Sequence, residues 1–552
     1  MTWQLDIHTI DVEQGESALV VACDIAANGA LRQLRTMLID GGERSYAERI
    51  HAYITKPDIV VPGQSIASLD CILVSHYDDD HSGGITSLLI ADNAYRIADR
   101  IAQAAHAAAS GAVARNQRIA YGAFAAMAVM LGAYDLPGRE YGGPALAAEE
   151  RLGANIPAAD ESAAKLGYTD AKIFMASQRD VNPSLPFSTT SRHTIAKAAG
   201  IAAANALRNG RTVEETRSAV FASFATGLPE EARLETDGIY ANTRIIDIGD
   251  TPHRPPDYAL AVIGQLTHSR NYRIQAPGIA RPHVETPDLG SEVLWGPAPP
   301  PAGAPTVHVV ARRKMVWRAP QGSVPIASGQ PDNDDSFGLI IRFNDFAFYT
   351  GGDLPTQGED LVGAAVMANG LPNPAGDVFP PPARLAAFKC GHHGAETATS
   401  NNFLIRTRPS AAVISCGEHG GFQHPAQATI DRLHNSATIQ QFFLTNCRFA
   451  TNHIPASFGR DQLKKEGMEA EGMEVEGMEV EDLEAEINKS FLFGDNNDIN
   501  IADPQPGHMR LSISEAGSRA AVGSGYRQFT VNGFNGDEGA NRRLVDRTII
   551  DY

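Results

Sequence analysis

The chain has 552 residues, enough for roughly two to four domains or for one large domain with a long insertion. A hydrophobic share of 43% and a charged share of 20% are ordinary for a folded globular protein, and a formal net charge of −19 argues against non-specific binding to nucleic acid or anionic membranes. A phosphodiester substrate stays compatible with this charge, because bound divalent cations would supply positive charge locally.

The cysteine content and the apolar segments predict a cytoplasmic protein. Five cysteines without metal-type spacing fit a reducing compartment better than a disulfide framework. Residues 1–6 contain neither a basic region nor an apolar stretch, so no signal peptide is expected. The longest uncharged run without proline, residues 119–134, is shorter than the roughly 20 residues that cross a bilayer. We expect a buried helix there and no interaction with membranes.

The first 300 residues divide into a strand-rich and a helix-rich segment. Residues 1–85 contain short, roughly alternating apolar runs that predict strands, and residues 43–54 predict a helix. The predicted strands are 5–12, 18–23, 36–40 and 71–74. Residues 85 to about 225 carry Ala, Leu, Ile and Arg at helical spacing, and the proline-rich residues 226–330 hold strand-like pieces at 258–263 and 306–311. Residues 86–300 are therefore expected to form a mostly helical insertion.

Strand-like patterns return in the second half of the chain. Residues 301–460 contain short apolar runs that end in polar clusters. Residues 461–490 hold a five-residue repeat, Gly-Met-Glu-Ala/Val-Glu, with ten acidic and no basic side chains between 466 and 486. Such charge repels itself, so we expect an extended or disordered surface loop, with partner binding as the alternative. Residues 491–552 are expected to form C-terminal strands, with a strand pair at 507–533.

Residues 75–84, Ser-His-Tyr-Asp-Asp-Asp-His-Ser-Gly-Gly, place four potential metal ligands directly after the apolar run 71–74. Carboxylates at the end of a buried strand cost free energy unless a charge compensates them, and one or two divalent cations are the simplest compensation. The two glycines let the backbone approach the ions before a helix begins. The alternative is a solvated acidic turn, which two histidines around alternate aspartates make the weaker interpretation.

Further donor residues follow apolar or glycine-rich segments elsewhere in the chain. They lie in segments 11–17, 40–42, 333–336, 350–353 and 391–394, with His424 downstream. Together with residues 75–84 they supply enough nitrogen and oxygen donors for two cations. Mixed Asp and His ligands suit zinc or manganese, and manganese is favoured as oxygen donors increase.

At these motifs the chain resembles the metallo-β-lactamase superfamily and, more narrowly, the soluble hydrolase domain of the ComEC competence protein family. The resemblance rests on residues 75–84, in which Asp78 replaces the second histidine of the general pattern, and on the other segments above. It implies an α/β fold, the metallo-β-lactamase αββα sandwich with a large mostly helical insertion. Residues 1–85 and 301–460 would be its N-terminal and C-terminal halves.

The resemblance implies a centre of two divalent metal ions, zinc or manganese, with six protein ligands. Three roles are distinguished among them: ligands of one ion, ligands of the other ion, and a carboxylate that bridges both. In that order they are His76 and Asp78; Asp80, His81 and His392; and Asp353.

The resemblance also implies residues that act on the substrate or support the ligands. His393 would be a ligand or a substrate contact, and His424 would contact a phosphate or protonate the leaving group. With Asp80 and Asp353, these two histidines form the expected catalytic set. The residues expected behind the ligands or in contact with the substrate are Asp11, Gln14, Asp40, Asn333 and Ser336.

Departures from the superfamily pattern leave the number of metals open. The usual Thr-Gly-Asp carries an extra glycine before Asp353, and Glu13 stands where a glycine is common. The single histidine expected between the second motif and the bridging carboxylate has no identifiable counterpart. Candidates without a motif are His268, His283 and His308. A single ion is therefore the alternative to two.

The predicted function is hydrolysis of a phosphodiester in DNA or RNA through a metal-activated hydroxide. The segment 312–318, with four cationic side chains and a tryptophan, is a candidate contact for a nucleic acid strand, and a solvated strand face is the alternative. Two other functions stay open: a small-molecule metallohydrolase acting on a lactone, ester or cyclic nucleotide, and a non-catalytic interaction protein with a vestigial metal site. A protein partner would bind through the helical insertion or the acidic repeat.

Overall fold

The protein is a mixed α/β fold with two large mixed β-sheets and several helices. The computed structural model describes residues 2–57, 59–110, 189–249, 251–259, 261–262, 284–318, 322–327, 329, 332–369, 371–372, 378–379, 384–417, 424–445, 490–492, 507–514, 528–535 and 544–551. The predicted helix at 119–134 and the acidic repeat at 466–486 lie outside these residues.

The described elements are nineteen strands and seven α-helices. The strands are β1 Thr2–Thr9, β2 Ala18–Ile25, β3 Leu31–Ile39, β4 Cys71–Leu73, β5 Arg244–Ile246, β6 Thr306–Arg312, β7 Met315–Trp317, β8 Ser323–Pro325, β9 Gly338–Phe343, β10 Phe346–Thr350, β11 Leu371–Pro372, β12 Val378–Phe379, β13 Ala387–Lys389, β14 Ala411–Ile414, β15 Gln441–Leu444, β16 Ser490–Leu492, β17 Gly507–Ser514, β18 Gln528–Asn535 and β19 Leu544–Asp551. The α-helices are α1 Ala47–Ile54, α2 Asp79–Ser110, α3 Thr189–Arg208, α4 Val213–Ala225, α5 Thr356–Asn369, α6 Asn401–Thr407 and α7 Gln427–His434.

The first sheet has the strand order β19-β18-β17-β1-β2-β3-β4-β5. It is antiparallel from β19 to β3 and parallel from β3 to β5. Ile513 on β17 lies opposite Leu5 on β1, so the C-terminal strands extend a sheet that the N-terminal strands begin. Because β3 and β4 are parallel, their carboxyl ends meet at one edge, where ligands commonly bind in α/β sheets.

The second sheet has the order β16-β15-β14-β13-β10-β9-β6-β7-β8. Strands β16 to β10 are parallel, and the remaining pairs are antiparallel. Asn344, with φ 52°, begins the two-residue turn between β9 and β10, and asparagine tolerates this left-handed conformation well. The parallel arrangement brings the carboxyl ends of β10, β13 and β14 to one edge of this sheet.

Helices α5 and α6 help to bury the second sheet. Phe403 on α6 packs against Tyr349 on β10 and Phe388 on β13, with ring centroids 5.3 and 5.4 Å apart. All three side chains are fully buried. Burying an aromatic side chain of this kind contributes roughly 1.5–3 kcal/mol each. This apolar packing holds the strands whose ends carry the polar loops.

Two compact units divide the chain. Unit 1 comprises Met1–Ile85, Thr243–Arg254 and Val284–Tyr552, and unit 2 comprises Thr86–Asn242 and Pro255–His283. Both large sheets belong to unit 1. Helix α2 begins in unit 1, and its residues from Thr86 onward belong to unit 2.

The described part of unit 2 is mainly helical and contains a buried ion pair. Asp92 and Arg96 lie one turn apart on α2, with Oδ2 and Nε 2.9 Å apart, and both are buried. The Thr236 hydroxyl donates to Oδ1 of Asp92 at 2.8 Å. A buried ion pair needs such additional hydrogen bonds to offset its desolvation. In the described helices, no segment combines the length and apolarity that crossing a bilayer requires.

One local prediction differs from the structure. The strand-like run 258–263 is helical at 256–259 and 261–262, and the preceding prolines explain why. Pro256 stands in the first helical position, where its fixed φ favours a helix, and a short apolar run alone does not distinguish strand from helix. The strand pair expected at 507–533 is confirmed by the antiparallel pair β17 and β18, and β19 adds a third strand beyond it.

Candidate metal centre

Ligand-type side chains meet where strands of both large sheets end. In the first sheet, β3 and β4 end just before Asp40 and His76. In the second sheet, β10 and β13 end shortly before Asp353 and His393. All four side chains are buried. Burying charged and imidazole groups costs free energy unless they have compensating partners, and a bound cation would be such a partner for these four side chains.

Four side chains converge most closely. Nε2 of His81 lies 3.1 Å from Oδ1 of Asp353 and 3.2 Å from Nε2 of His393. Nε2 of His393 lies 3.2 Å from Oδ2 of Asp80. Ligand atoms bound tetrahedrally to zinc at about 2.0–2.2 Å stand about 3.3–3.6 Å from one another. The four side chains are therefore spaced as donors around one cation.

His76 brings a second group of donors beside the first. Its Nε2 atom lies 3.9 Å from Oδ2 of Asp353 and 3.5 Å from Oδ2 of Asp78. His76 is buried, whereas the side chain of Asp78 is 47% exposed. Nε2 of His76 has no hydrogen bond of normal geometry among the described residues, although buried polar atoms rarely lack one. A cation held by His76 and Asp353 would satisfy it.

The outer ring nitrogens of two histidines are already engaged. Nδ1 of His81 lies 2.8 Å from Oδ2 of Asp40, and Nδ1 of His393 lies 3.1 Å from the carbonyl oxygen of Ser415. Carboxylate and carbonyl oxygens only accept, so each Nδ1 carries the proton and donates it. When a cation takes the place of any proton on Nε2, the two rings would be neutral and would present the Nε2 lone pair to it, which is the tautomer that binds metals.

His76 is oriented through a short relay. Asp40 accepts from the backbone N–H of Ser75 at 2.6 Å and from its hydroxyl at 2.6 Å. The Ser75 oxygen lies 3.1 Å from Nδ1 of His76 and accepts there, because its own proton is given to Asp40. His76 therefore also turns Nε2 toward the cluster. Asp40 thus supports His76 and His81 together from behind.

Electrostatics keep the carboxylates of the cluster ionised. Burial raises the pKa of Asp353, but the positive charges of His81 and His393 outweigh it and hold that pKa well below its usual value. Burial likewise raises the pKa of Asp80, and the hydrogen bond from His393 with the charge of His81 brings it below its usual value. Conversely, burial lowers the pKa of His81, while Asp353 and Asp40 raise it well above the usual value. Such a concentration of negative charge favours a bound cation.

The His392–His393 pair adopts an unusual backbone that points the two rings differently. Both residues have positive φ, 46° and 52°, a conformation that costs free energy in non-glycine residues and often marks functional sites. His393 lies beside Asp80 and His81, whereas Nε2 of His392 lies 3.5 Å from Oδ2 of Asp353. The His392 side chain is 24% exposed. It therefore occupies the solvent side of the cluster, next to the Asp353 carboxylate.

His424 lies next to this pair. Its ring centroid is 5.5 Å from that of His392 and 6.4 Å from that of His393. Burial lowers the pKa of His424 to about 4, and the charges of His393 and His392 add to the effect. The ring is therefore neutral near pH 7 and offers hydrogen bonds rather than charge.

The extra glycine before Asp353 has a packing reason. A Cβ atom at Gly351 would lie 2.2 Å from the hydroxyl oxygen of Tyr349, and one at Gly352 would lie 2.8 Å from Oγ of Ser75. Gly352 also has φ 53°. Ser336, which is buried, lies 3.4 Å from the same Cβ position at Gly352. Both glycines let the turn that carries Asp353 fit tightly against its neighbours.

The remaining expected residues lie in two loops. The Nδ2 atom of Asn333 lies 3.5 Å from Nδ1 of His392, at the exposed side of the centre. In the loop between β1 and β2, Asp11 accepts the backbone N–H of Glu13 at 2.8 Å, and Gln14 is buried. The backbone of this loop reaches the ligands, since Glu16 N–H donates to the Asp80 carbonyl at 3.0 Å.

Gly83 and Gly84 serve helix packing. A Cβ at Gly84 would lie 1.9 Å from the carbonyl oxygen of Gly41, and its N–H donates to Gly42 at 2.9 Å. A Cβ at Gly83 would lie 2.9 Å from the backbone nitrogen of Arg44. These glycines let the first turn of α2 press against the turn after β3, and so place Asp80 and His81.

Of the three candidates for the missing histidine, only His308 lies among the described residues, where it contacts Thr306. His308 is buried in β6, with Nε2 2.9 Å from the hydroxyl of Thr306. Burial lowers its pKa to about 3, as expected for a neutral core side chain. His268 and His283 lie outside the described residues. Among the described residues, the ligand-type side chains near His76 include Asp78, His81 and Asp353.

Sequence reasoning missed two charged residues under the centre. Glu16 and Lys389 are both buried and form an ion pair between the β1–β2 loop and the end of β13. Each stands inside a motif that was recognised for other residues. For Lys389 the available signal was a basic side chain at the end of the apolar run 386–390, whereas Glu16 is one of several polar residues in its motif and carries no such signal.

Comparisons with known proteins add one partial relative. No known family model matches the chain. ComE operon protein 3 of Bacillus subtilis (strain 168) is 30% identical over 101 residues, which is 18% of this chain. The match spans only 11% of that protein. The similarity is thus to a small part of a competence-operon protein.

Proposed function

We propose that the chain is a metal-dependent hydrolase with the metallo-β-lactamase fold, acting as a phosphodiesterase on DNA or RNA. The observation that carries the proposal is the convergence of Asp80, His81, Asp353 and His393, with both His81 and His393 turned to present Nε2. The partial likeness to ComE operon protein 3 supports the ComEC-like assignment. Ligands from the ends of both sheets are what an αββα sandwich would supply.

The charge of the centre supports two divalent cations rather than one. Five carboxylates and one ammonium group lie in or directly behind the cluster, which leaves a net of minus four when the histidines are neutral. They are Glu16, Asp40, Asp78, Asp80, Asp353 and Lys389. Two divalent cations would balance this charge. Fewer ligand-type side chains surround the position near His76 than the position between Asp80, His81, Asp353 and His393. The ion near His76 is therefore expected to bind more weakly.

When bound, the cations would activate water and offset the charge that develops on the phosphoryl oxygens. The side chains around them have separate tasks. His392 and the neutral His424 would donate hydrogen bonds to the leaving oxygen. The amide of Asn333, 3.5 Å from His392, would hold a phosphoryl oxygen. Asp40 would keep His76 and His81 in the ligating tautomer throughout.

A basic turn beside the centre supports a phosphodiester substrate. The turn between β6 and β7 carries Arg313, which is exposed, and Lys314. Its backbone N–H groups donate to the carbonyls of Asp335 at 3.1 Å and Asp334 at 2.9 Å, in the loop that holds Asn333. Two cationic side chains on a turn tied to that loop would bind the phosphates that flank the one being cut.

A small-molecule substrate is the second candidate, favoured by exposed acidic groups at the rim. The side chains of Asp78 and Asp79 are 47% and 60% exposed. Such carboxylates repel a long polyanion and tolerate a small ester, lactone or cyclic nucleotide.

A substrate panel tests the proposal. We expect manganese or zinc to support cleavage of single-stranded DNA or RNA, and Asp80→Asn and Asp353→Asn to abolish it. Asp70→Asn is the matched control, because Asp70 is a carboxylate that binds only Arg35 and Thr36 in the described contacts. Cleavage of cyclic nucleotides or lactones without cleavage of nucleic acid would select the second candidate. No metal-dependent hydrolysis of any of them would refute both.

A further inference from the structure

A buried ion pair joins the segments that carry the metal ligands. Nζ of Lys389 contacts Oε2 of Glu16, and the side chains are only 4% and 2% exposed. Burying two charges is costly, and their mutual attraction often fails to repay it. A pair kept in such a position therefore needs a reason besides the stability of the fold. Its neighbours indicate that reason.

Lys389 holds the turn before the bridging carboxylate. Besides Glu16, Nζ of Lys389 donates to the carbonyl oxygen of Gly352 at 3.3 Å. Gly352 immediately precedes Asp353, and Lys389 is the last residue of β13, shortly before His393. One ammonium group thus ties the turn that carries the bridging ligand to the strand that leads to another ligand.

Glu16 reaches the remaining ligand segments. Its Oε1 accepts from the hydroxyl of Thr350 at 2.9 Å, and its Oε2 lies 3.9 Å from Nδ1 of His81. Its backbone N–H donates to the carbonyl of Asp80 at 3.0 Å, and its own carbonyl accepts from Gly42 N–H at 2.8 Å. The residue therefore contacts the start of α2, the end of β10 and the turn after Asp40.

We propose that Glu16 and Lys389 are positioning residues of the metal centre: the ion pair fixes Asp353 and His81 at ligating distance from His393. The inference rests on the proposed function insofar as the cluster must hold a divalent cation. It goes further in assigning an effect on metal affinity and coordination geometry to two residues that lie behind the four converging side chains. Residues behind metal ligands commonly change metal affinity by about 10–100-fold when removed.

A positioning role and a purely electrostatic role of Lys389 predict opposite effects of Lys389→Met on metal affinity. If Lys389 acted only as a positive charge near the cation, its removal would tighten metal binding, because a like charge is lost. If it positions the turn before Asp353, its removal frees the Gly352 carbonyl, displaces the bridging carboxylate and weakens binding. The direction of the change in affinity therefore separates the two roles.

Cobalt(II) binding tests the proposal without relying on catalysis. We would titrate the full chain with Co²⁺ against a competing chelator and record the visible absorption, which reports coordination geometry. Lys389→Met is expected to bind Co²⁺ about 10–100-fold more weakly and with an altered spectrum. The matched control is Arg510→Met, which breaks another ion pair, between the partly buried Arg510 and the buried Asp6 at 2.6 Å, in the β1–β17 pairing. It should lower thermal stability but keep the wild-type affinity and spectrum.

A double variant covers the case in which Lys389→Met does not fold. Glu16→Gln with Lys389→Met leaves no unpaired buried charge, yet still lacks the donor to Gly352, and should show the same weaker binding and altered spectrum. Three results would overturn the positioning role while the proposed function stands. They are wild-type cobalt affinity and spectrum in the folded single or double variant, tighter cobalt binding in either variant, or an equal loss of cobalt affinity in Arg510→Met. A wild-type chain that binds no cobalt, manganese or zinc would overturn both.

Discussion

Asp40 offers the clearest single perturbation of the metal centre. Its Oδ1 accepts from the Ser75 N–H at 2.6 Å, and its Oδ2 accepts from the Ser75 hydroxyl at 2.6 Å and from His81 Nδ1 at 2.8 Å. The substitution Asp40→Asn keeps the size of the side chain but replaces one acceptor oxygen with an NH₂ donor. Asn cannot reproduce this all-acceptor arrangement in either orientation.

Each orientation of the amide has a defined consequence. With the NH₂ group toward the Ser75 N–H, two donors face each other, and the strand end that carries His76 must shift. With the NH₂ group toward His81, Nδ1 of His81 must become the acceptor, and the proton moves to Nε2, where the cation would bind. Either way the ligating tautomer or position of a histidine is lost.

The expected magnitude follows from these bonds. Loss of a partner behind the ligands weakens metal binding about 10–100-fold, which is about 1.4–2.7 kcal/mol. Chelator competition with Mn²⁺ or Zn²⁺ measures the change. The matched control is Asp70→Asn, because Asp70 also accepts from a backbone N–H and a hydroxyl of one residue, Thr36, at 3.0 and 3.1 Å. It should lose folding stability but keep metal affinity. Equal metal affinities for the two variants would refute the reasoning about His81.

Three further predictions address stability and catalysis. His308→Gln should remove about 2 kcal/mol of the pH dependence of unfolding between pH 7 and 5, as followed by urea denaturation. Burial lowers the folded-state pKa of His308 from 6.5 to about 3. Between pH 7 and 5 only the unfolded chain therefore takes up a proton at this residue, and the free energy of unfolding decreases as the pH decreases. Gly84→Ala should destabilise the fold by about 1–3 kcal/mol or more, because its Cβ would meet the Gly41 carbonyl at 1.9 Å. His424→Gln should lower kcat by about 10²-fold or more at unchanged metal content.

Each of these predictions has its own control and a result that contradicts it. An unchanged pH slope in His308→Gln would show that this ring titrates alike in both states. Gly322→Ala, whose Cβ has 3.8 Å to its nearest neighbour, should shift stability by no more than about 0.5 kcal/mol, and a loss equal to that of Gly84→Ala would contradict the packing argument. Loss of metal along with kcat in His424→Gln would assign that ring to the ligands instead.

The ligand motifs could be predicted because they are local. Asp78, Asp80 and His81 follow β4 within a few residues, and an acidic cluster at the end of a buried strand is informative without knowledge of the fold. Asp40 was predicted as a residue behind the ligands, and the structure places it against His81.

Other features depend on the three-dimensional fold and leave little trace in the sequence. His392 and His393 are neighbours in one motif, and only the left-handed backbone at both residues decides which ring faces Asp80. Glu16 and Lys389 are 373 positions apart, so no local pattern pairs them. The pairing of β17 with β1 joins the two ends of the chain in the same way.

The central claim is that Asp80, His81, Asp353 and His393 surround a divalent cation, with His76 beside a second one. Anomalous X-ray diffraction from crystals grown with Zn²⁺ or Mn²⁺ tests it most directly. The account predicts a strong peak about 2.0–2.3 Å from Nε2 of His81 and Nε2 of His393, and a second, weaker peak near His76. Crystals that contain the metal but show no peak at these side chains would contradict it.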